Sequence, residues 1–491
     1  DLNTEQKKAV THGSGPLLIV AGAGTGKTTV ITRRIAWLIL DQKLKANEIL
    51  ALTFTEKAAE EMETRVDKLL PLGYEDLWIN TFHEFGKRIL TENALDIGLD
   101  PQFKILTQTD QYLFIRQHLF EFDLDYYRPL GNPTRFIQTL AKFFSRLKDE
   151  EVDEREFFRY AKKVKGQNSK VKSEEEKEST AKIIELAGAY KKYQELMRKE
   201  SYVDFGDLIM YTLRLFRTRK SVLGRFQSQF KYILVDEFQD TNFAQYQLLK
   251  LLSQKNDNLN VVGDDDQSIY RFRGAALNNI LNFKKHFPRA KEIVLTTNYR
   301  SVPGILDAAY DLIQGNNPDR LETRLNIQKQ LKIGRDLSAA EKKVRPTLFW
   351  EETMEQEAKA VAREIIRLRK EAKYEWRDFA ILVRANDHAE PFIKVLERAN
   401  LPYLFVASKG LYSTPEVMGL IAYLRTLNNF LDSVSLYRVT HMTVFDFDPQ
   451  DVIRLLQQAN RKSISLYEAF DEAERVAGLK ENTRQSIRKL L

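Results

Sequence analysis

No cysteine occurs among the 491 residues, which excludes disulfides and thiolate-ligated metal and suits a reducing interior. No apolar run approaches the roughly 20 residues that a membrane-spanning helix needs. Asp1-Leu2-Asn3-Thr4 has neither a basic region nor an apolar stretch, so an export signal is not expected and the cytoplasm is the simplest placement. Short internal repeats are missing, and so is any residue set resembling a complete nuclease site. A strong excess of one charge is also lacking. Lys and Arg number 76 against 69 acidic residues, and the net of +7 favours a polyanionic partner only modestly over this length.

Charged residues make up 30% and apolar ones 43%, a globular balance, and the length calls for several domains. Leu17-Leu18-Ile19-Val20 is a short apolar run that passes through a glycine-rich turn into the helical pattern Thr29 to Ile35. Strand, loop and helix are expected there. Buried parallel strands are predicted at Ile49 to Phe54, Tyr232 to Val235 and Leu259 to Gly263, each short, apolar and followed by polar residues. Between the second and third of these four strands, the helical region from 108 to 190 reads as an insertion. Within it Lys162 to Thr180, almost wholly Lys, Glu, Ser and Gly, is expected as exposed loop or frayed helix. After Pro288 strands are expected at Glu292 to Leu295, Thr347 to Glu351 and Phe379 to Val383, in a second α/β domain. From Pro415 the pattern is helical alone.

Ala21-Gly22-Ala23-Gly24-Thr25-Gly26-Lys27-Thr28 fits the phosphate-binding loop pattern except at its first glycine, where Ala21 stands. Glycines let backbone N–H groups face phosphate oxygens at the positive end of the following helix, whose first turn includes Thr29. Lys27 is expected to neutralise the β- and γ-phosphates of ATP, and the Thr28 hydroxyl to ligate Mg2+. A glycine-rich turn of no special role is the bland alternative, and the strand before and helix after argue against it. The metal also wants a carboxylate and the attacking water a base, so Asp236 is assigned to the metal and Glu237 to the water. Both follow the strand ending at Val235, where ligands of open parallel sheets gather. An acidic pair capping a helix is the other reading.

Further segments occur in a particular order: Gln6 within Leu2-Asn3-Thr4-Glu5-Gln6, the loop at Gly22 to Thr28, Thr53-Phe54-Thr55-Glu56-Lys57-Ala58-Ala59, Thr81-Phe82-His83, Asp236-Glu237-Phe238-Gln239-Asp240, Gly263 to Ala275, and Asn298-Tyr299-Arg300-Ser301. As a set they resemble the UvrD/Rep-type superfamily 1 helicases, from residue 2 to about 425. The resemblance implies a P-loop NTPase with two RecA-like parallel-sheet α/β domains, helical insertion subdomains, ATP between the domains and single-stranded DNA, or its junction with duplex, across their tops. Residues 1–107 and 191–290 are expected to form the first RecA-like domain, 108–190 its insertion, 291–418 the first part of the second domain, and 419–491 part of a second insertion. Gln6 would read the adenine edge, Tyr299 stack on the ring, Gln267 touch the γ-phosphate and Arg300 serve as an arginine finger. Phe54, Tyr270 and Phe272 would stack on bases, and Arg273, Thr81 and His83 contact DNA. Taken singly, each aromatic reads as core rather than ligand.

The implied activity is ATP-driven 3′-to-5′ movement along DNA with strand separation, in repair, replication or recombination. Two alternatives stay open: the motor portion of a larger helicase–nuclease, and a nucleotide-gated DNA clamp, whose signature would be loss of Glu237, Gln267 or Arg300. Phe272 stands where the family usually has Trp, Glu56 where Asn is frequent, and Thr297 where Gln often precedes Asn298. No segment before Leu491 matches the family's second arginine finger, so the fold is expected to be incomplete at its C-terminus, with partners or a nuclease module reached through what would follow. The isolated 1–491 chain is therefore expected to hydrolyse ATP slowly. Steady-state phosphate release checks this, and turnover typical of intact family members would overturn it.

Overall fold

A computed structural model describes residues 2–71, 77–168, 173–268, 276–406, 415–462, 464–476 and 478–491. The chain divides into two compact units, Asp1–Pro346 and Thr347–Leu491. In the first, a short helix α1 (Thr4–Val10) precedes β1 (Leu17–Ala21), α2 (Lys27–Leu40), β2 (Ile49–Thr53), α3 (Glu56–Asp67), β3 (Trp78–Thr81) and α4 (Phe82–Asn93). The chain continues through β4 (Lys104–Leu106), the helices α5 (Gln108–Gln117), α6 (Ile137–Asp149), α7 (Glu154–Asn168) and α8 (Glu174–Lys199), β5 (Tyr202–Asp204) and α9 (Phe205–Thr218). It then returns to β6 (Tyr232–Val235), β7 (Leu259–Gly263) and β8 (Lys291–Leu295), and ends in the short pair β9 (Thr297–Asn298) and β10 (Lys332–Ile333).

Six strands form one sheet in the order β3-β2-β6-β7-β1-β8, every pair parallel. Every residue of β1, β2 and β7 is buried, as the near-continuous apolar sequence of a strand covered on both faces requires. Asn260 on β7 and Thr53 at the end of β2 are polar, and the Asn260 amide oxygen accepts a hydrogen bond from the buried Arg34 Nε at 2.9 Å. Because all six strands run the same way, the loops after β1, β2, β3, β6 and β7 leave from one edge of the sheet, where an open α/β fold collects its ligands.

The expected strand at Glu292 to Leu295 forms, but not as the opening of a second sheet. Over residues 291 to 295 it pairs with β1, and Ile293 and Leu295 join the core beneath α2. The apolar run Ile293 to Leu295 favours burial of the strand and leaves its neighbour open. Thr347 to Glu351 and Phe379 to Val383 form no ladder, and the second unit contains no strand among its described residues. Leu348, Trp350 and Leu382 are exposed. Period and composition signal the wish for burial, but a strand exists only where another strand meets its N–H and C=O groups. The described elements of the second unit are helices. Met354–Ala372 packs Ala358 and Ala362 against Val395 of Glu390–Arg398, and from Pro415 onward the described elements are helical, around Leu436, Leu455, Leu466 and Phe470.

Within Lys162 to Thr180 the described flanks are helical: α7 runs to Asn168 and α8 begins at Glu174, and residues 169–172 lie outside the described residues. Ser173 caps α8 by accepting a hydrogen bond from Glu176 N, three glutamates fill the first turn, and Glu178 pairs with Lys182 at 2.6 Å. Charge placed to suit the helix dipole turns a composition typical of loops into helix.

The helical insertion carries its own core around Phe144, Tyr190 and Tyr193 and joins the sheet-bearing part of the unit through a buried ion cluster. Lys148 Nζ on α6 lies 2.5 Å from Asp204 Oδ2 and 2.8 Å from Asp207 Oδ1, with all three side chains at most 3% exposed. Tyr193 Oη donates to Asp204 and Gln194 Nε2 to Asp207. Burial, and then the Asp204 charge, raise the Asp207 carboxyl to about 6. Removing one partner from such a cluster strands buried charge, so Lys148→Met is expected to cost about 3–5 kcal/mol. A raised carboxyl pKa favours the protonated native state at low pH. The loss in urea unfolding should therefore be smaller at pH 5 than at pH 8, and equal losses at both would contradict the assignment.

Candidate functional site

The loop between β1 and α2 lies at the carboxyl edge of the sheet, and its backbone is shaped by close neighbours. Gly24 has φ +72°, and a Cβ there would fall 2.6 Å from Asn298 Nδ2 and 2.7 Å from Arg300 Cβ. Gly26, the N-cap of α2, has no side chain to satisfy the helix N-terminus, so the first-turn N–H groups of Lys27, Thr28 and Thr29 remain available to an anion. Thr25 closes the loop on itself, its hydroxyl donating to Gly22 O at 2.8 Å.

Gln6, on α1, is buried and reaches the same loop. Its Nε2 donates to Thr25 O at 2.8 Å, and its Oε1 accepts from Asn3 N at 3.1 Å in a capping box. A primary amide has two N–H groups and two oxygen lone pairs, so one donor and one acceptor are left for the edge of a base. Tyr299 stands nearby, half exposed, held through its hydroxyl by Asn3 Nδ2 at 3.0 Å and through its N–H by Gly24 O at 2.9 Å.

Lys27 points across the loop to the ends of β6 and β7. Its Nζ lies 2.6 Å from Glu237 Oε2 and 3.0 Å from Gln267 Oε1. Glu237 sits in the left-handed region at φ 47°, ψ 45°, a strained conformation for a non-glycine residue, which turns its carboxylate toward the loop. Gln239 Nε2 donates to the same carboxylate oxygen at 2.7 Å, and Gln239 Oε1 accepts from Asp264 N at 3.0 Å. Asp236 is buried beside it. Burial first, and then the Glu237 charge, push its carboxyl up to about 6. A buried carboxylate at the end of β6 is a donor suited to a hard divalent cation, and the Thr28 hydroxyl, half-buried at the start of α2, supplies the oxygen type that complements it.

Arg300 is brought to the site by Asn298 on β9. Asn298 Nδ2 donates to Ala23 O at 2.6 Å, while its Oδ1 accepts from Arg300 N at 2.9 Å and Ser301 N at 2.8 Å. Lys27, Asp236, Glu237, Gln267, Arg300, Gln6, Tyr299 and the stretch Ala21 to Thr29 thus converge on one edge of one unit.

The UvrD/REP helicase N-terminal domain matches residues 2–288, and the UvrD-like helicase C-terminal domain matches residues 293–485. The chain belongs to the UvrD-like helicase family. The ATP-dependent DNA helicase PcrA of Staphylococcus aureus is 37% identical over 487 residues, and that of Staphylococcus epidermidis is 35% identical over 488. Each comparison covers 99% of this chain and 62% of the relative, so the chain spans somewhat under two thirds of the proteins it matches.

In this UvrD-like chain the residues expected from sequence to contact DNA divide into two groups. Thr53 of β2 lies opposite Thr81 of β3, so the chain leaves both strands, into Phe54 and into Phe82-His83, at the same edge of the sheet. Thr81 caps α4 by accepting a hydrogen bond from Glu84 N at 3.1 Å, and the His83 ring meets Phe205 edge to face at 5.4 Å. Tyr270, Phe272 and Arg273 lie outside the described residues.

Three working residues had no role assigned from sequence: Gln239, Asn298 and Asn3. All three stand inside the quoted motifs, and an amide two residues after an acid was the available signal for Gln239. Nothing local marked Asn298, because its partner Ala23 is 275 positions away. Asn298→Ala should lower kcat for ATP hydrolysis by about tenfold or more with a small change in melting temperature, since it mispositions Arg300 rather than emptying a core. Unchanged kcat in a steady-state assay would contradict this.

Proposed function

We propose that this chain is a DNA-dependent ATPase whose hydrolysis drives 3′-to-5′ movement along single-stranded DNA and separation of strands at a junction with duplex. The observation that carries the reading is the Lys27 ammonium, held between Glu237 and Gln267 at the mouth of a helix N-terminus. Polyphosphate entering the loop would draw Lys27 onto its oxygens, releasing Glu237 to orient a water and Gln267 to meet the terminal phosphate. Thr28 and Asp236 would hold Mg2+, which supplies neutralisation of phosphate charge when bound. Gln6 and Tyr299 would select and stack the base, and Arg300 would stabilise charge developing in transfer.

Supporting the DNA assignment are the family, the printed activity of the PcrA relatives, and the position of β2 and β3, which precede Phe54 and His83, on the far side of β6 and β7 from the phosphate loop after β1. Base stacking on such aromatics contributes about 1–3 kcal/mol per base and tolerates any sequence. Direction of travel and strand separation rest on the family alone, as do the DNA roles of Tyr270, Phe272 and Arg273. Among the described residues no helix is long and apolar enough to cross a membrane.

Lys27→Ala is expected to abolish DNA-stimulated hydrolysis while leaving binding to a fluorescent single-stranded oligonucleotide within about twofold. Glu237→Gln should lower kcat by about 100-fold or more with a much smaller change in ATP affinity. Hydrolysis retained by Lys27→Ala would overturn the assignment, and so would a wild-type rate indifferent to DNA.

A further inference from the structure

Beyond the nucleotide contacts lies a cluster whose basic partners, Lys329 and Arg320, stand outside every quoted motif. The turn after β7 presents three consecutive carboxylates, Asp264, Asp265 and Asp266, whose oxygens lie within 4.8 Å of one another. The place where a cation would sit among them is taken by the ammonium of Lys329. Its Nζ is 2.7 Å from Asp264 Oδ1 and 2.7 Å from Asp266 Oδ2, and it also pairs with Asp265. Arg320 adds a two-point grip on Asp266 at 2.8 and 2.7 Å, and Leu321 N donates to Asp265 at 2.8 Å. Lys329 and Arg320 side chains are only 4% and 3% exposed. Burial disfavours the Lys329 ammonium, but the three carboxylates outweigh it and hold the group charged above its ordinary range.

The cluster is placed between the two sides of the site. On one side Asp264 shares its oxygens: Oδ1 accepts from Lys329, while Oδ2 accepts from Gln267 Nε2 at 2.6 Å, the same Gln267 whose Oε1 meets Lys27. On the other side the segment carrying Lys329 continues into β10, which pairs with β9 over Lys332 to Thr297 and Ile333 to Asn298. Leu331 in between packs on the phosphate loop so closely that a Cβ on Gly22 would lie 2.8 Å from its Cδ2. A shift of Gln267 therefore alters the charge balance at Asp264, and the backbone answering to Lys329 is the backbone that aligns Asn298, Tyr299 and Arg300.

We propose that Lys329 is a positioning residue that couples Gln267 to the Asn298–Arg300 segment, so that both sides of the site respond together to a terminal phosphate. The proposal rests on the ATPase reading above for its meaning, though not for its test. Without this link, Gln267 and Arg300 would sense the nucleotide independently. With it, the loss of either coupling partner uncouples the same response.

Lys329→Met alone leaves buried carboxylates unpaired and risks misfolding, so the informative variant is the charge-balanced K329M/D265N, with K329R as the conservative control. Binding of ATPγS and of ADP is measured on the full 491-residue chain by displacement of a fluorescent nucleotide, alone and in a Q267A background. K329M/D265N is expected to weaken ATPγS by about tenfold and ADP by no more than about twofold, and to add little once Gln267 is already Ala. K329R should recover part of the ATPγS affinity. Equal losses for ATPγS and ADP, or effects that simply add to those of Q267A, would mean that the cluster only supports the fold and would overturn the proposal. If wild type shows no DNA-stimulated hydrolysis but the binding effects are non-additive, the ATPase reading fails while the coupling stands.

Discussion

A lysine ammonium at the mouth of a helix N-terminus repels the positive end of that helix and must be held by something, and much of the first unit is arranged around holding Lys27. Glu237 and Gln267 provide its resting partners, from the ends of two strands that lie side by side in the sheet. Those partners are in turn held by Gln239 and Asp264, so the ion pair is the visible part of a hydrogen-bonded layer running along the carboxyl edge of β6 and β7. The arrangement works only because β1, β6 and β7 are parallel and in register, with Leu17 opposite Asn260 and Ile233 opposite Leu259. A different neighbour for any of them would carry one of these side chains away from Lys27.

The same constraint explains where the molecule tolerates strain and buried charge. Glu237 occupies a left-handed conformation that costs on the order of 1–3 kcal/mol, and the Lys27 and Gln239 contacts oppose that cost. Two clusters of buried ions, one around Lys148 and one around Lys329, sit where separate stretches of chain must be held to the sheet: the helical insertion in the first case, the segment leading to β10 in the second. Apolar packing alone would tolerate sliding at such junctions. A lysine enclosed by two or three carboxylates accepts a single arrangement, because any displacement leaves charge without a partner in a low-dielectric setting.

How much of this was readable beforehand depends on the range over which each signal acts. The strand, loop and helix at Leu17 to Leu40 follow from neighbouring residues, and they form where expected. Strand boundaries at Ile49, Tyr232 and Leu259 are similarly local. The placement of Lys291–Leu295 beside β1 was not readable, since apolar character does not name a partner, and Thr347 to Glu351 with Phe379 to Val383 shows the converse: apolar segments without a partner strand. At Lys162 to Thr180 composition left loop and helix both open, and the order of charges at Ser173 to Glu176 favours helix in the described part.

The amino-acid sequence by itself determined the chemistry available to this protein: a phosphate loop at Gly22 to Thr28, an acidic pair at Asp236 and Glu237, and an ordered set of motifs that names the family. These are short-range patterns, in which residue type and spacing carry the information. Only the tertiary structure decided which of those groups meet, that Asn298 aligns Arg300 by gripping Ala23, and that Lys329 fills the carboxylate cluster beside Gln267. Such contacts join residues tens to hundreds of positions apart, and their geometry is set by strand order and burial, which no local stretch of sequence encodes.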